Sequence, residues 1–351
     1  MADKILFVGR HRDDLGSHHL ARQPDLTGIR KVVKLLARVL CTLTLSASLC
    51  SPIEASDTAL PRIGVLPLAN VRLEDALRQG LAGLGYIEGK NVLIEWVRPV
   101  ETNEEKLRIL SRQLETTGAD VIVAVGSAAA RAALQASRVP VVFVVGDPIA
   151  GGFAKNLARP GGNGTGVSVV TTELDAKRLE LLKQLIPRAR RVAVLFNPAN
   201  PLAGKGGLNN AAKTLDLELI SLGARTPEEL NGALSALSGS GADGAVVSGD
   251  SLMYANMAQV TEAIRKARIP AVFPWREYHD HGALVTYGPD LIEALRRVSA
   301  YIDRILRGSK PGETAIEQIA TYELVVNLTV AHAMGLIVPQ SVLLRADEVI
   351  R

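Results

Sequence analysis

Cysteine is nearly missing from this chain: among 351 residues only Cys41 and Cys50 are cysteine, and both lie within residues 1–55. Downstream of them a thiol nucleophile, a disulfide framework and a thiolate metal site are excluded together. Aromatic residues make up only 4%, so a ring beside polar loop residues is informative. Membrane-length apolar runs are lacking too. Val39 to Leu49 is uncharged for 11 residues, short of the roughly 20 that span a bilayer. Nor is there a basic block. The net charge of +4 is local, because residues 1–55 hold 8 Lys/Arg and 5 Asp/Glu, leaving 32 against 31 for the remainder. A nearly neutral body offers no phosphate-backbone footprint and argues against a nucleic-acid partner.

What is present is a chain of 351 residues, 47% hydrophobic and 22% charged, enough for one large or two ordinary soluble domains. Residues 1–55 read as an N-terminal extension and signal peptide. Arg30, Lys31, Lys34 and Arg38 precede the uncharged run, small residues follow it, and cleavage is expected near Ala55, before Ser56. Export across the cytoplasmic membrane is expected. Lipid anchoring at Cys50 is the alternative, for which Leu49 in front of it is a poor fit. Residues 1–29 are polar and unusual ahead of a signal.

From Pro61 onward, short apolar strands alternate with amphipathic helices, the pattern of α/β units on parallel sheets. Strands are expected at Arg62–Leu66, Asn91–Trp96, Val121–Val125 and Val141–Val145, then at Arg191–Phe196, Leu217–Leu222, Gly244–Val247 and Ala271–Phe273. The two sets echo each other. PRIGVLP (61–67) answers RRVAVLFNP (190–198), TGADVIVAVGS (117–127) answers SGADGAVVSGDS (240–251), and RVPVVFVVGDP (138–148) answers RIPAVFPWREY (268–278). The offsets are 129, 123 and 130, so two Rossmann-like lobes of one design are expected. Open parallel sheets bind ligands beyond the carboxyl ends of their strands. The loops at 67–70, 126–128 and 146–148 would then face those at 197–200, 249–251 and 274–277 across a cleft. The glycine-rich stretch 158–168 reads as a hinge crossing and 281–290 as a second. A strongly amphipathic helix is expected at Leu291–Leu306, followed by a strand-to-helix segment at Tyr322–Met334. The expected division is lobe I over 56–165 plus 289–320 and lobe II over 166–288 plus 321–351.

A run of motifs in order carries a family resemblance: LGYIEGKNVLIEW (84–96), GSAAA (126–130), GDP (146–148), LARPGGNGTGVS (157–168), KRLELLKQLIP (177–187), NPANP (197–201), TYGPD (286–290) and the tail from Tyr322 to Arg351. From about Pro61 to its last residue the chain resembles the periplasmic substrate-binding proteins of ABC transporters of the tryptophan/tyrosine type, built on the type I periplasmic-binding-protein fold. The resemblance implies capture of a small solute, an aromatic or apolar amino acid or similar carboxylate, and delivery to a membrane permease. It implies no enzyme activity, no cofactor and a monomer. An exported sensor feeding a membrane receptor or kinase is the alternative, and behind it an α/β sugar- or nucleotide-handling enzyme.

Seven residues stand out as ligand-binding candidates. Ser127 and Ala128 open a helix directly after a strand, where free N–H groups and a partial positive dipole suit a carboxylate. GSAAARAA (126–133) has neither a P-loop lysine pair nor a dinucleotide fingerprint, so phosphate is the weaker rival. Ser127 as a mere helix cap stays open. Asp147, between a strand and a proline, is a candidate for an ammonium group or an Asx turn. Asp250, at the equivalent place in the second half, has the same two readings. Asn197, like Asn200, is a ligand contact or a turn residue. Trp275 and Tyr287 are stacking surfaces or core. Arg276 and Glu277 would grip a carboxylate or pair with each other. His279-Asp280-His281 lacks a third metal ligand and reads as a surface turn. Glu173 and Asp175 read as helix-start residues rather than an acid/base pair. No nucleophile elbow G-x-S-x-G occurs in the body.

Overall fold

The computed structural model describes residues 59–66, 71–97, 104–169, 174–200 and 207–351. The expected leader, the loop 67–70 and Glu173 lie outside them. The strands, in chain order, are β1 (Arg62–Leu66), β2 (Leu93–Trp96), β3 (Val121–Val125), β4 (Val141–Val145), β5 (Gly164–Val169), β6 (Arg191–Phe196), β7 (Glu218–Gly223), β8 (Gly244–Val247), β9 (Ala271–Phe273), β10 (Val285–Pro289), β11 (Glu317–Ile319), β12 (Tyr322–Asn327) and β13 (Glu348–Ile350). They form a six-stranded sheet in the order β11-β5-β4-β3-β1-β2 and a seven-stranded sheet in the order β13-β12-β10-β9-β8-β6-β7. All eight strands expected from sequence are present, with small shifts at β2 and β7.

Both faces of the first sheet are covered, and the sequence of β3 and β4 shows why. VIVAV and VVFVV do not alternate with polar residues. Val121 and Val123 enter one apolar cluster with Val142 and Val144, whereas Ile122 and Ala124 enter another with Val141 and Phe143. A strand buried on both faces needs apolar residues at every position. Helices α1 (Val71–Gly83), α2 (Glu104–Thr116) and α3 (Ser127–Ala136) intervene between these strands. The second sheet carries α4 (Leu174–Leu185), α5 (Leu208–Thr214), α6 (Pro227–Leu237), α7 (Ser251–Ala255) and α8 (Met257–Ala267). Then α9 (Leu291–Leu306) returns to the first lobe. Its buried Leu291, Leu295, Val298, Ile302 and Ile305 recur at helical spacing, and Ser299 Oγ donates to Leu77 O of α1 at 3.3 Å. Short α10 (Leu328–Ala333) and α11 (Gln340–Leu343) finish the second lobe.

Three features differ from the sequence reading. The stretch 158–168 is not a crossing, because β5 extends to Val169 inside the first sheet, paired with β4 from Val141↔Gly164 onward. Its strand glycines, Gly164 and Gly166, serve close packing: a Cβ on Gly166 would meet Phe143 O at 2.1 Å. Likewise β10 occupies half of the expected second crossing and lies in the second sheet, so Pro289 belongs there and the chain crosses after it. The second sheet is also not wholly parallel, since β12 runs antiparallel to β10. The physical reason is the route of the chain. β10 leaves the sheet at Pro289, opposite Tyr322 where β12 enters it, and Asp290 N donates to Thr321 O at 3.4 Å. The outgoing and returning crossings run side by side, so the returning strand must point away from them.

Candidate functional site

The strand-to-helix turn at Gly126 is the clearest local device. Gly126 has φ +93°, which an L side chain adopts only with strain, and it precedes α3 without a side-chain cap. Ser127 is therefore the first helical residue rather than its cap. The N–H groups of the opening turn, including those of half-buried Ser127 and Ala128, point at the space beyond β3. That space is bounded by the other lobe: a Cβ on Gly126 would sit 3.5 Å from Ser251 Cβ at the start of α7. The strand-end loops of the two lobes thus meet, as their sequence echo implies.

Across from Ser127, three of the candidate polar residues form one network. Asp250 caps α7, its Oδ1 accepting from Leu252 N at 2.9 Å and Asn197 Nδ2 at 3.0 Å, while its Oδ2 accepts from Asn200 Nδ2 at 3.0 Å. Asn197 Oδ1 in turn accepts from Ala199 N at 2.9 Å. Both turn chemistry and mutual pairing are at work, and the amide donors hold the carboxylate rigidly in place. Asp147 stands apart from this network. Its Oδ1 accepts from Ile149 N at 2.9 Å and Ala150 N at 3.0 Å, the Asx-turn geometry.

The aromatic candidates divide. Trp275 is buried, edge-on to Tyr254 with centroids 5.3 Å apart and stacked on Tyr278 at 6.4 Å. Its Nε1 is buried without a hydrogen-bond partner, which an indole N–H in a finished core rarely is. Tyr287 is half-buried against Tyr322, centroids 6.2 Å apart. Just beyond Trp275, Arg276–His281 forms a 3-10 turn. Arg276 does not pair with Glu277, but with Glu348 on β13. Asp280 instead reaches the first lobe, 3.0 Å from Arg72 on α1. His279 is more than a surface residue: its Nε2 lies 3.1 Å from Thr286 Oγ1, and burial pushes its pKa down to about 4. Among the described residues no group of three His, Cys, Asp or Glu is placed to hold a metal ion.

One cluster escaped the sequence reading. Arg178 on α4 is fully buried, ion-paired with Asp175 one turn earlier. Its Nε donates to Tyr287 O at 2.8 Å, and Ser248 Oγ at the end of β8 donates to Asp175 Oδ2 at 2.7 Å. Burial pulls the Arg178 pKa down while Asp175 opposes that pull. Arg178 thereby ties the first helix of the second lobe to the carboxyl ends of β8 and β10. The signal was present: Arg178 interrupts the apolar stripe Leu174, Leu181, Leu185, a place where a charge must find a partner.

Relatives agree with this geometry. A family model described as "ABC transporter substrate binding protein" matches residues 69–350. A tyrosine-binding protein of Clostridioides difficile is 26% identical over 282 residues, 78% of this chain and 81% of the relative. Among solved structures, an ABC domain from Streptococcus pneumonia in complex with L-Trp is 25% identical with a TM-score of 0.75, over 83% of this chain and 100% of its own. A conserved domain protein from Vibrio cholerae is 26% identical at the same TM-score and the same coverage. With two sheets whose strand-end loops meet and a match over most of its length, this chain belongs to the ABC transporter substrate-binding protein family and has the type I periplasmic-binding-protein fold.

Proposed function

We propose that this protein captures an aromatic amino acid between its lobes and presents the closed form to a membrane permease. Substrate-binding proteins of ABC systems work outside the cytoplasmic membrane and bind small-molecule solutes. Two observations carry the ligand assignment: a carboxylate-ready helix N-terminus at Ser127 and Ala128, whose Gly126 meets Ser251 of the opposing lobe, and in that opposing lobe the buried Trp275 indole whose N–H has no partner. The relatives named for tyrosine and found with L-Trp support it. In this reading Ser127 and Ala128 hold the carboxylate. Asn197 and Asp250 form the polar wall of the second lobe, Trp275 and Tyr287 supply apolar surface, and Asp147 rims the entrance. Residues 1–55 direct export as a cleaved signal peptide. No helix among the described residues is long and apolar enough to cross a membrane.

The test is a thermal-shift screen over the twenty amino acids, small carboxylates and nucleobases. L-Tyrosine or L-tryptophan at about 100 times its Kd should stabilise the protein by about 2.7 kcal/mol, raising Tm by roughly 4–5 °C for a body of this size. A shift with nucleobases alone, and none with any amino acid, would remove the assignment.

A further inference from the structure

An α-amino acid presents an ammonium group as well as a carboxylate, and two aspartates, Asp147 and Asp250, are its obvious acceptors by sequence. The structure commits both elsewhere. Asp250 already receives Leu252 N, Asn197 Nδ2 and Asn200 Nδ2, and Asp147 Oδ1 receives two amides of its own loop. Glu277 is different. It is only 5% exposed, and its carboxyl is met by its own backbone N–H but by no side chain of another described residue. Leaving a carboxyl buried and unpaired is costly, so such a group in a folded protein calls for an explanation.

Its place in the fold supplies one. Glu277 follows the carboxyl end of β9, two residues after Trp275, whose Nε1 also lacks a partner. Three residues further on, Asp280 touches Arg72 of the opposing lobe, so this turn lies where the lobes meet. The charges felt by Glu277 come from Asp280 on its own turn, Asp290 at the outgoing crossing and Glu323 on β12. All are acidic. Against this field stands Arg276 on the same turn, which feels the charge of Glu277 but is ion-paired with Glu348.

We propose that Glu277 is the specificity residue for the ligand's α-ammonium group, resting on the amino-acid reading above. A bound ammonium would supply the missing counter-charge through a charge-assisted hydrogen bond in a desolvated site. The Trp275 ring beside it would pack on the ligand's apolar part. Glu277 thus distinguishes amino acids from the deaminated acids of the same shape.

The experiment measures Kd by titration calorimetry for L-tyrosine and L-tryptophan and for hydroxyphenylpropionate and indolepropionate, with wild type, Glu277→Gln, Glu277→Asp and Asp147→Asn. Glu277→Gln should weaken amino-acid binding by roughly 30-fold or more and change binding of the deaminated acids by less than about threefold. Retained binding of those acids shows that the cleft is intact. Glu277→Asp, which keeps the charge, should fall between. An equal loss for both ligand classes, or a selective loss in Asp147→Asn with none in Glu277→Gln, overturns the assignment of Glu277. Failure of the wild type to bind either amino acid overturns the aromatic amino-acid reading itself, and the role of Glu277 with it.

Discussion

At the scale of single residues, the carboxylates of the second lobe illustrate how similar side chains acquire opposite tasks. Asp250 is held by amide donors, while burial pushes the Glu277 carboxyl up to about 7 from its ordinary 4.5, with Asp280, Asp290 and Glu323 adding to the rise. The sign of the consequence is definite. The folded protein keeps this proton up to about pH 7, whereas the unfolded chain releases it near 4.5. The contribution of Glu277 to stability is therefore fully present below pH 4.5 and is lost as pH rises through 7, roughly 3 kcal/mol in all. Glu277→Gln should flatten this part of the Tm–pH profile and raise Tm above pH 7. A profile unchanged by the substitution would mean that the group ionises freely in the folded state. Such a variant would be more stable and bind its ligand less well, the trade expected of a residue kept for binding.

Secondary elements matter here through where they begin. β3 and β8 end in loops that meet, and α3 and α7 start from those loops. α4 starts the second lobe and is anchored by Arg178 to Asp175 and to Tyr287 O. Truncating Arg178 to alanine would strand Asp175 beside Ser248 and leave Tyr287 O without its donor. Removing one partner of a buried pair costs about 3–5 kcal/mol, so a urea melt of Arg178→Ala should show a midpoint lowered accordingly with m unchanged. A cost below about 1 kcal/mol would mean that the cluster is solvated in solution. Arg178 also shows what a periodicity reading overlooks. The segment 177–187 carried the family resemblance, but a charged residue within the apolar stripe of α4 gives no hint of which backbone carbonyl will receive it.

At the scale of the whole molecule, the ligand must bring two lobes together, and a closed form must be worth more with ligand than without. Arg72 and Asp280 bridge the lobes, but their side chains are 56% and 41% exposed, so the pair contributes only about 0–1 kcal/mol. Asp280→Ala should accordingly weaken ligand binding by less than about fivefold while Glu277→Gln acts far more strongly. Small-angle scattering should show the wild-type radius of gyration contract on adding L-tryptophan, and Asp280→Ala should still contract at saturating ligand. If Asp280→Ala stays expanded under saturation, the bridge and not the ligand drives closure.

Much of this architecture could be read directly from residues. Periodic apolar runs marked all eight expected strands, and the near-constant offset between matched motifs marked the two lobes, because period and turn chemistry are local properties. The glycines of 158–168 misled for the same reason. A glycine needed for a turn and one needed so that Gly166 can approach Phe143 O look alike until the neighbouring strand is in place. At the candidate site, sequence located the strand-end loops that carry the proposed ligand contacts Ser127, Asn197, Asp250 and Trp275. Only the tertiary structure decided which acidic groups are spoken for. Asp250 is satisfied by asparagines some fifty residues away, Glu348 on the last strand by Arg276, and Glu277 by no side chain among the described residues. Pairing is a property of positions brought together by packing, and no local pattern along the chain records it.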